Sequence, residues 1–177
     1  MTNKTTVLGS VHIASATFTR PSDTTAYTAG DVVCNSTSSP ATMDFTTATV
    51  GEGEGRNDQA VINQAILIDS ANQGTKPDLE LWLFDTDVTM DNDNEAFTPT
   101  DAELATLVGV ISFAQANFKV GDATSGANGN CICIADNLGI PIKTLSGANT
   151  LYGVLVARNA YTPVSGESFT VRLCVLD

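Results

Sequence analysis

The chain has 177 residues, an apolar fraction of 42% and a formal charge of −12, with 8 lysines and arginines against 20 acids. That length lets one domain bury roughly 70% of the surface its unfolded chain exposes. A surface this acidic repels phosphate, which excludes nucleic-acid binding and disfavours anionic membranes, and it favours solubility or docking onto a basic partner.

Threonine, serine, alanine, asparagine and glycine are abundant, a mixture that suits short strands and polar turns better than a helical bundle. Residues 1–6 are polar and read as an arm. They contain no continuous apolar region of a secretory signal, and no apolar run approaches the length of a membrane span. Residues 7–18 read as a long β segment. Its apolar phase changes between Val11/Ile13 and Ala14/Ala16/Phe18, which predicts a bulge or bend. Arg20-Pro21-Ser22-Asp23 breaks it, and residues 27–31 are turn material before a short strand at 32–34.

Residues 35–40 form a Ser/Thr loop, and 43–50 a Thr-rich strand suited to a half-exposed sheet edge. Gly51-Glu52-Gly53-Glu54-Gly55 is a mobile acidic turn that lacks the lysine of a phosphate loop. Residues 59–70 predict a long strand with a slip near Asn63-Gln64. The stretch Leu79-Glu80-Leu81-Trp82-Leu83-Phe84 is apolar on both alternation phases, so it reads as a central strand covered on both faces. Trp82, the only tryptophan, is expected in the core.

Thr100 and Glu103 form a capping box, the one clear helix start. The apolar stripe Leu104, Leu107, Val108 and the stop at Gly109 predict one short helix near 100–108. Strands are expected again at 110–113, 118–120, 131–135, 140–145, 151–158 and 169–176. Pro141 restricts its strand to an edge or a start, and 121–130 is a loop. The whole reads as all-β: a single β-sandwich or jelly-roll-like domain over 7–177, with one short α-helix.

Chemistry is sparse. Cys131 and Cys133 share one strand face and read as buried free thiols. Cys34 and Cys174 complete the set of 4, too few for the length to be a disulfide framework. A zinc site lacks ligands, since His12 is the only histidine. The acidic run 85–95 reads as a solvated surface loop. Its alternating Asp91, Asp93 and Glu95 are the candidate oxygen ligands of a calcium site, although the run fits no EF-hand frame. A Ser-His-Asp set would have to use His12, and no Gly-x-Ser-x-Gly elbow is present. No catalytic residue is assigned.

Several blocks in this order carry a resemblance. They are Tyr27-Thr-Ala-Gly-Asp-Val-Val33, Leu81-Trp-Leu-Phe-Asp85, Asp91-Asn-Asp-Asn-Glu-Ala-Phe97 and Leu107-Val-Gly-Val-Ile111. Leu151-Tyr-Gly-Val-Leu-Val-Ala-Arg158, Ala160-Tyr-Thr-Pro163 and Phe169-Thr-Val-Arg-Leu173 complete them. Together they resemble small virion structural proteins of tailed bacteriophages and cyanophages. The resemblance implies a non-enzymatic capsid decoration (cement) protein, made in the host cytoplasm and carried on the virion surface. It implies the major capsid protein as partner, a homotrimer as the assembly and no cofactor. The alternative is a head-fibre or tail-associated module that binds a receptor or glycan.

Overall fold

The structure, a computed structural model, describes residues 11–46, 59–143 and 150–176. The expected arm at 1–6, the start of the first β segment, the Gly-Glu loop at 51–55 and the ends of two expected strands lie outside these residues. Along the chain run β1 (Val11–Thr19), β2 (Val32–Val33), β3 (Met43–Thr46), β4 (Gln59–Asp69) and β5 (Leu79–Phe84). Then follow α1 (Asp101–Leu104), β6 (Leu107–Phe113), a 3-10 turn (Gln115–Asn117), β7 (Lys119–Asp122), β8 (Asn130–Lys143), β9 (Thr150–Ala157) and β10 (Ser168–Leu176).

The strands form two antiparallel sheets, β1-β10-β4-β8-β7 and β2-β9-β5-β6, with β3 also on β9. The pairings are nested. β5 pairs with β6, β4 with β8, β2 and β3 with β9, and β1 with β10. The chain is therefore one long antiparallel hairpin, folded over so that β10 also meets β4 and β9 also meets β5. That rolled hairpin is a jelly roll, and the fold is an all-β sandwich with one short helix.

The core lies between the sheets. Leu79, Leu81 and Leu83 from β5 meet Leu67 from β4 and Phe169, Val171 and Leu173 from β10, all fully buried. Burying each side chain of this size contributes about 1.5–3 kcal/mol. The alternation that sends these residues inward is the period-two pattern of the sequence made physical.

Several expectations change. β1 pairs with β10 in unbroken register from Val11↔Leu176 to Thr19↔Ser168, so it contains no bulge. Val11 and Ile13 sit on the outer face, and their apolar phase marks an apolar outer surface instead of a kink. The slip near Asn63 is present: the register of β4 shifts there against both β10 and β8. Residues 131–135 and 140–143 belong to one long strand, β8, which bends through Asn137 (φ 56) and Gly139 (φ 61). Among the described residues β7 pairs only with the first residues of β8, so Pro141 faces no ladder on that side. The capping box is formed, but the helix ends at Ala105. Gly109 is in the middle of β6 opposite Leu83, where a Cβ would come within 3.1 Å of Ile140 Cγ2. It gives room for β8 to approach instead of closing a helix.

Candidate functional site

Two features remain once the core is assigned: a polar clamp at one end of the sandwich, and an uncovered sheet face.

The clamp is built where β1 and β4 end and β10 begins. Four of the five buried charged residues among those described are here, Arg20, Asp69, Asp93 and Glu167, with Gln73 beside them; the fifth, Asp31, accepts from Thr28. Asp93 is only 4% exposed. It accepts hydrogen bonds from Tyr27 Oη (2.6 Å), the Cys34 backbone N–H (2.9 Å) and Arg20 Nη2 (2.9 Å). Arg20 Nε also donates to Tyr27 Oη, and its guanidinium lies over the Tyr27 ring, 4.7 Å from the centroid. Tyr161 stacks on Tyr27, with ring centroids 5.0 Å apart. The three bonds to Asp93 hold the buried ion pair in place, while Arg20 Nη1 has no hydrogen-bond partner among the described residues.

Beside it, Glu167 accepts from Gln73 Nε2 and from the Val164 N–H (3.0 Å). Asp69 accepts from the Ala71 N–H (2.8 Å). Burial, and then the neighbouring Asp69, push Glu167 up to about 7. Burial pushes Asp69 up to about 6. Burial raises the thiols as well, Cys131 to about 12 and Cys34 and Cys133 to about 11. All four cysteines are free, and these buried three are poor nucleophiles at neutral pH.

The calcium candidates are placed apart in function. Asp91 accepts from the Thr98 backbone N–H (2.7 Å) and its hydroxyl (3.0 Å). Asp93 is the centre of the clamp. Glu95 accepts from Asn92 Nδ2 (3.1 Å). Among the described residues no three histidine, cysteine or acidic side chains are grouped to hold a metal ion.

The acidic run is also not a detached loop. Val88, Met90 and Phe97 turn back onto the outer face of the second sheet. There they pack with Val32, Cys34, Phe84, Val154 and Val156. Trp82 lies on this outer face and is only half-buried. Phe97 meets its ring edge-on at 5.5 Å, Arg158 lies over it at 5.7 Å, and its Nε1 donates to Glu80 (3.1 Å). The expectation of a core tryptophan is thereby corrected. The three leucines of β5 take the inner face, and Trp82, two residues from Phe84 on the opposite phase, shares the outer one. Both faces of the strand are covered as the sequence implied, the outer one by the segment 85–98.

Among the described residues the first sheet has no such cover. On the outer side of β1-β10-β4-β8, Val11 is 64% exposed, Ile13 47%, Ile134 and Leu176 39% each, and Val61 37%. These are five of the eight large apolar side chains exposed among the described residues, so the apolar surface is gathered and not scattered. Val11, Leu176 and Val61 lie side by side in register across three strands. Ile66, Ile68 and Ile132 continue the face, each half-exposed. This surface was missed in the sequence, although the phase change at Val11 and Ile13 was its signal. An open groove of about 230 Å³ near Thr42, Asp44 and Asp87 is polar, and Thr42 Oγ1 donates to Asp87 across it (2.9 Å).

No protein-family model matches the chain, and no curated protein matches it. Among solved structures, it is similar to a chain of the cyanophage Pam1 capsid asymmetric unit, with 14% identity and a TM-score of 0.34, covering 99% of this chain and 91% of that one. It is similar to a chain of the capsid of Ralstonia phage GP4, with 17% identity and a TM-score of 0.37, covering 100% and 90%. A chain of Israel acute Paralysis Virus follows at 11% identity and a TM-score of 0.31, covering 100% and 77%. These values describe a distant likeness in chain course.

Proposed function

We propose that this chain is a non-enzymatic structural protein of a phage virion: a capsid decoration (cement) protein that binds the outer surface of an assembled head and stabilises it. The observation that carries the reading is the uncovered apolar face of β1-β10-β4-β8. A chain whose described residues hide the outer face of one sheet with the segment 85–98, and leave the other apolar and open, is made to work against other protein surfaces. The order of sequence blocks resembling phage head proteins supplies the kind of assembly. In this reading the domain spans 7–177, copies join as a homotrimer, and the partner is the major capsid protein. Asp91, Asp93 and Glu95 serve as staples of the 85–98 segment, with no metal required.

Cementing works by mass action. An oligomer that touches several lattice subunits at once binds the assembled shell and not its free subunits, so its binding free energy adds to the stability of the shell. The charge of −12 per chain steers it to basic patches on that shell. The receptor- or glycan-binding alternative has less to use. The large ring best suited to stack on a sugar, Trp82, is already occupied by Arg158 and Phe97.

The test is to strip shells of this protein and heat them. Stripped shells are expected to disrupt at lower temperature than decorated ones, with recovery when purified protein is added back. Equal disruption temperatures, with binding to host cells or glycans instead, would transfer the protein to the fibre or receptor reading. Copy number per particle separates the two as well: hundreds for cement, a few to some tens for a fibre.

A further inference from the structure

The two outer faces of the sandwich differ in a way that identifies what covers the open one. The second sheet is sealed by residues 85–98, which present acids and asparagines outward. The first sheet is largely apolar and its charges balance: among the described side chains, the outward positions of β1-β10-β4-β8 carry Arg172 and Asp136, and β7 at the edge adds Lys119 and Asp122.

We propose that the face of β1-β10-β4-β8 is covered by the same face of a second copy of this chain, an inference that rests on the structural role proposed above and names a two-fold contact between copies, separate from the contacts that close a trimer. Electrostatics favours a copy over a basic lattice here. Two chains of −12 repel one another over most of their surfaces, and they meet without bringing like charges together only through a face whose own charges cancel. A basic partner is complementary to the acidic remainder and gains nothing electrostatic from this face.

The size agrees. Four strands at about 4.8 Å spacing, each rising about 3.3 Å per residue over the length of β1, make a face of roughly 550 Å². Two copies together then bury about 1,100 Å², just above the ~1,000 Å² that a specific interface needs. The anatomy agrees too. The apolar side chains lie at the Val11 end and along β4 and β8. The far end of the β1–β10 pair is rimmed by hydroxyl pairs, Thr17 with Thr170 (2.8 Å) and Thr19 with Ser168 (2.7 Å). The face is thus apolar at one end and hydroxylated at the other, a mixed composition within the range of protein–protein interfaces.

The experiment is sedimentation of the full chain, with Ile13→Glu and Ile134→Glu as variants. Both positions are exposed, so folding is expected to survive, and unchanged β-type circular dichroism checks this. A third variant, Val61→Lys, guards against a misfolded glutamate variant and tests whether a charge of either sign disrupts the contact. The wild type is expected to sediment as a multimer. Its association should tighten as salt rises from about 0.02 M to about 0.5 M, because screening removes the repulsion between copies. The variants are expected to associate at least about tenfold more weakly, a loss of about 1.4 kcal/mol. A wild type that sediments as a single copy, or folded variants with undiminished mass, would overturn the proposal. The two readings fail separately. A single-copy protein that still protects shells removes this interface and leaves the structural role, whereas a multimer that binds no shell removes the role and leaves the interface.

Discussion

Asp93 is the residue on which one end of the sandwich turns. It receives Arg20, Tyr27 and the Cys34 N–H at once, all from the stretch 20–34. Asp93→Ala leaves a buried guanidinium and phenol without their acceptor. The expected loss is about 3–5 kcal/mol of stability, read from the urea midpoint; a loss below about 1 kcal/mol would show that the pair is dispensable. Glu167 and Asp69 behave in the opposite sense. Their folded values, about 7 and about 6, lie above the ordinary 4.5 and 3.8. Between those limits the folded chain retains protons that the unfolded chain has released, so stability falls as pH rises. The melting temperature is therefore expected to decline from about pH 5 to about pH 8 through this pair. Glu167→Gln should flatten that slope and raise the melting temperature at the alkaline end; a slope unchanged by the substitution would remove Glu167 as its source.

At the scale of elements, the segment 85–98 and the turn α1 act as one cover. Glu103 closes the capping box with Thr100 and also accepts from the Thr89 N–H (2.9 Å), which ties the helix to the covering segment. Phe97 presses the same segment onto Trp82. Phe97→Ala is expected to destabilise by about 2–4 kcal/mol, somewhat less than a full core truncation, and to shift Trp82 emission to the red as solvent reaches the ring. Emission that stays where it was would mean the cover holds without Phe97. Gly109 is a second element-scale constraint. Gly109→Val would push against Ile140 and separate β6 from β8, a loss of about 1–3 kcal/mol. A stability equal to wild type in thermal melts would show that Ile140 yields freely.

For the whole molecule, the rolled hairpin closes without any covalent link, since all four cysteines are free. Reducing agent is expected to leave the melting temperature unchanged, and a drop on adding it would reveal a cross-link. The asymmetry of the two outer faces matters more. Among the described residues, one is covered and acidic, and the other is open and nearly neutral.

Much of this was legible in the chain alone. Period-two alternation marked the strands, because in a sheet each side chain must choose one of two faces. The doubly apolar stretch 79–84 identified β5 as covered on both sides, Asn63-Gln64 marked the bulge of β4, and Thr100 with Glu103 marked the helix start. These are local signals that depend on a few neighbouring residues. What covers a face is not local. Trp82 and Val11 are both apolar residues in strands, yet one is half-covered by Phe97 and Arg158 and the other is open. Only the tertiary path of residues 85–98 decided which. The same path turned Asp93 from a candidate calcium ligand into the acceptor of Arg20 and Tyr27, because its partners come from residues 20–34, some 60 or 70 positions away in the chain.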